Sequence, residues 1–108
     1  MNPEILHDAA QRRFYCAIDG RECALCYDIK EAAPGIMDIF RTFVHPDLRG
    51  QRFAEALLQR AIAFARQSGL SIRPSCSYVA VYFRRHREHQ TLLASDVDLK
   101  SGGSCRVV

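Results

Sequence analysis

Apolar positions along the chain follow two rhythms, an extended one up to residue 44 and a helical one from residue 51 onward. Arg13 to Ile18 and Glu22 to Ile29 are rich in β-branched, aromatic and small apolar side chains, the mixture that suits a pleated, half-buried surface. Asp19-Gly20 between them supplies the positive-φ positions of a tight turn, so the two segments read as a β-hairpin. Pro34-Gly35 ends a short connection, and Ile36 to Val44 then reads as a third strand continuing an antiparallel meander, stopped by Pro46. From Gln51 to Ser68, Ala54, Leu57, Leu58, Ala61, Ile62 and Ala65 recur at steps of three and four, with Gln51, Glu55, Gln59, Arg66 and Gln67 mostly elsewhere. This spacing predicts an amphipathic helix, ended by Gly69 in left-handed backbone. Leu70 to Arg73 reads as a short strand, parallel to the third because a helix joins them. A second helix is expected to start with Ser77 as its N-cap and to run through Tyr78, Val79, Tyr82, Phe83 and His86.

The order is three strands, a helix, a strand and a helix, which predicts one α/β domain over residues 1–94. After Ala94 the pattern dissolves, and Ser101-Gly102-Gly103-Ser104 predicts a mobile tail over residues 95–108.

Composition narrows the classes without choosing among them. Of the 108 residues, 48% are apolar and 25% charged, an ordinary globular balance that argues against wholesale disorder. Residues 1–14 carry Glu4, His7, Asp8, Arg12 and Arg13 in place of the apolar run of a signal peptide, and no stretch is apolar enough to span a bilayer. A soluble cytoplasmic protein with no membrane partner is the expectation. A net charge of +3 does not demand nucleic acid. Five cysteines, an odd number, point to reduced thiols rather than a disulfide framework.

Residues 48–58, Leu-Arg-Gly-Gln-Arg-Phe-Ala-Glu-Ala-Leu-Leu, leave a strand and open a helix. Such a turn aims unpaired backbone N–H groups at solvent, where a pyrophosphate can accept them and the helix dipole favours its charge. Arg49 and Arg52 add positive charge to the same place. On these residues alone, an ordinary helix start with solvated arginines stays open.

Arg49 to Ala54 is similar to the coenzyme-A pyrophosphate loop of the GNAT superfamily of N-acetyltransferases, with its pattern of Arg or Gln, two residues, Gly, one residue, then Gly or Ala. More narrowly, the run from Arg41-Thr42-Phe43-Val44 to Pro74-Ser75-Cys76-Ser77-Tyr78, followed by Tyr82-Phe83 and a basic, His-containing end, resembles a subfamily of very small GNAT-like proteins with a Cys-x-Tyr motif. The resemblance covers roughly residues 10 to 93. It implies a GNAT-like fold, a mixed and mostly antiparallel sheet with two main helices. It also implies acetyl-CoA as cosubstrate without a metal, and an unidentified amine acceptor such as a protein, a peptide or a polyamine. The pyrophosphate would lie against Arg49, Gly50, Gln51, Arg52, Phe53 and Ala54, and the pantetheine arm against Val44. Two positions depart from the pattern. Arg52 stands where the family has glycine, and Arg41 where the small subfamily often has His, which removes a candidate base because Arg keeps its proton near neutral pH.

Cys76 lies at the expected helix start, where amide donors and the dipole favour thiolate. The resemblance sets an equivalent Cys close to the acetyl group, so Cys76 is the catalytic candidate, with Arg41 as a stabilising neighbour. A small buried side chain is the plainer use of a free Cys. Tyr78 and Tyr82, one turn apart, share a face. One of them could protonate the leaving thiolate, as a Tyr in this region does in many GNAT enzymes, although core packing is the commoner use. Tyr82 is counted among the cofactor-binding residues. Cys23 and Cys26 face opposite ways on a strand and cannot grip one metal. His86 and His89 read as solvated, and His45 as a loop residue. The basic run Arg84-Arg85-His86-Arg87 lacks the aromatic pattern of a nucleic-acid site. It reads as a helix end whose cations complement the dipole, with the adenosine phosphates of the cofactor as a further use. The altered loop and the missing His keep a second reading in view, a non-catalytic acetyl-CoA-binding or protein-interaction module.

Overall fold

In the computed structural model, which describes residues 4–94, five strands form one sheet whose spatial order is their order in the chain. β1 (Leu6–Asp8), β2 (Arg13–Ile18), β3 (Arg21–Asp28) and β4 (Ile36–Val44) are antiparallel neighbours. β5 (Ser71–Pro74) joins β4 in parallel after the crossover helix α1 (Phe53–Ser68), and α2 (Ser77–Arg85) follows it. The mixed, mostly antiparallel sheet with two main helices is the expected architecture. The expected tail over residues 95–108 lies outside the described residues.

The punctuation acts as its chemistry dictates. Asp19 and Gly20 take φ of 52° and 78°, two left-handed positions that match the twist of the β2–β3 hairpin. Gly69, at φ 70°, ends α1 and donates its N–H to the carbonyls of Ala65 and Arg66. The Ile36 N–H donates to the Ala33 carbonyl at 3.1 Å and closes the Pro34-Gly35 turn.

Strand β1 was not expected. Three residues are too few to show a period, and this strand exists through its partners. His7 stacks on Phe14 with ring centroids 4.2 Å apart, and its Nε2 lies 2.6 Å from the Tyr27 hydroxyl.

One face of the sheet makes the core. Phe14, Leu25, Met37, Ile39 and Ile72 are fully buried with Leu57, Leu58 and Ala61 of α1 and Val79 and Phe83 of α2. Each large aliphatic side chain contributes about 1.5–3 kcal/mol on leaving water, so this face fixes how α1 and α2 sit on the sheet. The β3–β4 register shifts at Cys26/Tyr27: Cys26 pairs with Arg41 and Tyr27 with Ile39, leaving Phe40 as the extra residue of a β-bulge. The bulge falls where β4 leaves β5, because the last β4–β5 pair is Ile39 with Pro74.

Helix α2 begins differently from expectation. Cys76, in extended backbone, is the N-cap, and Ser77 is already the first helical residue, with no side-chain cap bond. The helix also stops at Arg85, one residue short of His86.

Candidate functional site

Beyond Ile39 and Pro74 the two parallel strands part, and β4 runs on to Val44 without β5 beside it. The chain then makes a 3₁₀ turn at Pro46–Leu48, capped by His45, whose Nδ1 accepts the Asp47 N–H at 3.1 Å. Gly50 at φ 85° and Arg52 at φ 66° swing it into α1. Arg52 is the N-cap and makes no side-chain cap bond. The first intrahelical bond runs from the Ala56 N–H to the Arg52 carbonyl at 3.1 Å, so the N–H groups of Phe53, Ala54 and Glu55 have no acceptor within the helix. That is the chemistry of an anion site.

Arg52 keeps the left-handed backbone natural to glycine, at a cost of about 1–2 kcal/mol. The loop takes this left-handed turn at Arg52 despite its side chain, which adds a guanidinium there. Arg49 is tied across the loop, its Nε donating to the Val44 carbonyl at 3.3 Å.

Val44, Arg49, Gly50, Arg52, Phe53 and Ala54 line one cavity of about 240 Å³ between the end of β4, the start of α1 and the start of α2. Leu48, Glu55 and Tyr78 complete its wall. Sequence reasoning assigned Leu48 and Glu55 no such place, since a helix wheel marks Glu55 only as polar. Gln51 is not in the lining; its side-chain amide donates to the Asp47 carbonyl at 3.5 Å. Tyr82 lines an adjoining cavity of about 180 Å³ that shares Glu55 and Tyr78 with the first.

Cys76 sits in the fork where β4 and β5 separate. Its N–H donates to the Ile39 carbonyl at 3.0 Å, and its half-buried thiol donates to Thr42 Oγ1, with Sγ 3.6 Å away. Thr42 pairs with the buried Leu25, so its neighbour Arg41 projects from the opposite face of the sheet, with its guanidinium 5.8 Å from the Phe43 ring. Arg41 is thus no stabilising neighbour of Cys76; strand alternation separates them.

A family model described as GCN5-related N-acetyl-transferase matches residues 13–92, which takes in the loop, both cavities and the fork. The chain belongs to this family. No curated protein matches it. Membership makes it a GNAT protein, from a family of acetyl-transfer enzymes that generally use acetyl-CoA as cosubstrate.

Within this GNAT fold the two tyrosines of α2 divide. Tyr82 is buried and stacked on His86 with centroids 3.9 Å apart, whereas Tyr78 is 38% exposed and lines both cavities. Burial, then the charges of Glu55, Tyr82 and Cys76, raise the Tyr78 phenol above its ordinary value, so it stays protonated and able to donate. His86 and His89 are half-buried rather than solvated. His86 Nδ1 lies 2.9 Å from the Tyr82 carbonyl, and His89 Nδ1 lies 3.0 Å from Arg66 Nη2. Among the described residues no group of three or more His, Cys, Asp or Glu gathers as metal ligands, and no helix is long and apolar enough to cross a membrane.

Proposed function

We propose that this GNAT protein transfers the acetyl group of acetyl-CoA to an amine. The observation that carries the reading is the single cavity that joins the unpaired N–H groups at the start of α1 to Val44 and the start of α2. The pyrophosphate lies against Gly50 to Ala54, and the pantetheine arm follows β4 beyond Ile39 to the fork at Cys76. Most of the rate gain comes from holding the thioester in place. The Cys76 thiolate attacks the acetyl carbonyl, the bond to the CoA sulfur breaks, and the Tyr78 hydroxyl gives that sulfur its proton. The acceptor amine then attacks the acetyl-Cys76 thioester, Cys76 leaves as the thiolate, and the proton the amine loses returns to the Tyr78 phenolate, which restores both groups for the next turnover. The acceptor is an amine of a protein, a peptide or a polyamine. A cytoplasmic place of action belongs to the same reading and rests on composition alone.

The test is titration with acetyl-CoA and CoA, followed by intact mass of the native chain and of Cys76→Ala. Saturable binding with an acetyl increment that Cys76→Ala lacks supports the covalent route. Binding without the increment means direct transfer from acetyl-CoA to the amine. Binding with no turnover on any amine supports the second reading, a non-catalytic acetyl-CoA-binding module. One observation favours that reading: position 41 is Arg, a side chain without a proton acceptor, and it stands on the face of the sheet opposite Cys76. No binding of either ligand refutes both.

A further inference from the structure

We propose that the sheet face turned away from the helices carries a second binding site, which takes a free amino acid: Asp38 holds its ammonium, Lys30 its carboxylate and Phe40 its apolar side chain. The cavity lies between the β1–β2 turn and the first half of β4, has a volume of about 460 Å³, and is lined in part by Arg12, Tyr27, Asp28, Lys30, Asp38 and Phe40. That is a size usual for small-molecule sites. Asp38 stands between Met37 and Ile39, both buried in the core under the helices, so its side chain leaves the other face. Cys76 and Thr42 meet on the helix side. An amino acid bound here is therefore a ligand separate from the acceptor amine, and the site does not depend on the acetyl-CoA reading.

The charges of the lining divide into a spent pair and a free pair. Asp28 and Asp38 are direct cross-strand partners, and two carboxylates so placed repel each other. Arg12 relieves only Asp28, its Nη1 donating to Asp28 Oδ1 at 2.6 Å and to the Ile29 carbonyl at 2.9 Å. Asp38 joins no ion pair among the described residues, and its Oδ1 is buried without a hydrogen-bond partner. A buried acceptor in that state is destabilising until a donor reaches it. Arg73 is opposite Asp38 in the β4–β5 register but outside the lining. Lys30 is exposed, and its ammonium also joins no ion pair among the described residues. It follows Asp28 by two residues, roughly 7 Å of extended chain, a span its flexible four-carbon stem can work across. A polyamine in this cavity would be repelled by Lys30 and a phosphate by Asp38, whereas a zwitterion satisfies both. Phe40 is 51% exposed because the bulge turns the extra residue out of the ladder. Its ring offers an apolar contact to a side chain and an aromatic face to the ammonium. Tyr27 supplies only wall, since its hydroxyl is engaged by His7 at 2.6 Å.

The experiment is an amide-detected NMR titration of the full chain with L-leucine, with N-acetyl-L-leucine, which lacks the ammonium, and with L-leucinamide, which lacks the carboxylate. L-Leucine should give saturable shifts at residues 28, 30 and 38–40, and each blocked form should bind about tenfold or more weakly, the worth of one charge-assisted hydrogen bond. Asp38→Asn should weaken L-leucine and L-leucinamide and leave N-acetyl-L-leucine unchanged. Lys30→Gln should weaken L-leucine and N-acetyl-L-leucine and leave L-leucinamide unchanged. Glu31→Gln, at an exposed position outside the lining, should bind all three as the native chain does; the same spectra show that each variant is folded. Absence of saturable shifts with L-leucine, a blocked form that binds the native chain as tightly, or a native ranking that survives in Asp38→Asn or Lys30→Gln overturns the assignment, whatever the outcome with acetyl-CoA.

Discussion

Cys76 and Thr42 face each other across the fork between β5 and β4, Sγ to Oγ1 at 3.6 Å, although 34 residues separate them in the chain. The hydroxyl accepts from the thiol, and after rotation it can donate to the thiolate. Thr42→Val keeps the volume and removes that partner. It should slow acetylation of Cys76 by acetyl-CoA about tenfold, the worth of one hydrogen bond to a charged group. Cys76→Ala should abolish it, with turnover down about a hundredfold or more. Single-turnover intact mass with both variants checks this, and an unchanged rate in Thr42→Val would show that the contact plays no part.

Tyr78, raised by burial and the neighbouring Glu55, keeps its proton beyond the ordinary phenol range. Tyr78→Phe should lower turnover on any acceptor by about a hundredfold, with the alkaline limb of the native pH–rate profile lost. A variant whose profile still falls at high pH as the native one does would assign that limb to another group.

Two left-handed positions of the loop should respond in opposite directions. Arg52→Gly relieves about 1–2 kcal/mol of backbone strain against roughly 0.5–1 kcal/mol of added chain entropy, for a small net gain. A Cβ on Gly50 meets nothing within 4 Å, so Gly50→Ala costs only the backbone term at φ 85°, about 1 kcal/mol. Urea midpoints of the two variants measure this; a large loss in Arg52→Gly would mean the guanidinium has a partner in the folded state.

Burial, then the Arg60 charge, lowers the His7 imidazole from its usual 6.5, with Asp8 opposing. The folded state therefore favours neutral His7, and the unfolded chain takes up the proton first as pH falls. The stabilisation is complete above pH 6.5 and is lost as pH drops through the lower folded value. Urea midpoints at pH 7.5 and 5.5 should fall together with pH, and His7→Phe should flatten the change. A native midpoint that rises on acidification would contradict the assignment.

The Cys16 thiol is pushed up to about 11, by burial first and then by Cys23, its cross-strand partner. Iodoacetamide at pH 8 should therefore modify the half-buried Cys26 and Cys76 and spare Cys16 and Cys23 in the folded chain. Peptide mapping reads the pattern. Equal labelling of Cys16 and Cys76 would show that the sheet opens readily there.

Local chemistry in the chain determined the elements that carry their own signals. The Asp19-Gly20 hairpin, the strand over residues 36–44, the period of α1 and its Gly69 stop depend on φ preference and side-chain spacing within a few residues, and all appear as read. The Arg49–Ala54 loop was legible for the same reason: its donors follow from where a helix starts, and six of the eight expected cofactor residues line one cavity.

Other features depend on distant partners. β1 is a strand because Phe14 and Tyr27 receive His7. Cys76 rather than Ser77 caps α2 because its N–H is held by Ile39 on β4. Arg41 and Cys76, both near the fork, are kept apart because alternation along β4 places Thr42 on the core face and Arg41 on the other. Tyr78 and Tyr82 share a helix face, but packing buries one and leaves the other in the groove. Propensity and period act over a turn or two of chain, so the sequence by itself settled the β2–β3 hairpin, β4, α1 and the turn that opens it. Which side chains meet across the fork, and which line the groove along α2, was decided only when the core fixed the helices against the sheet.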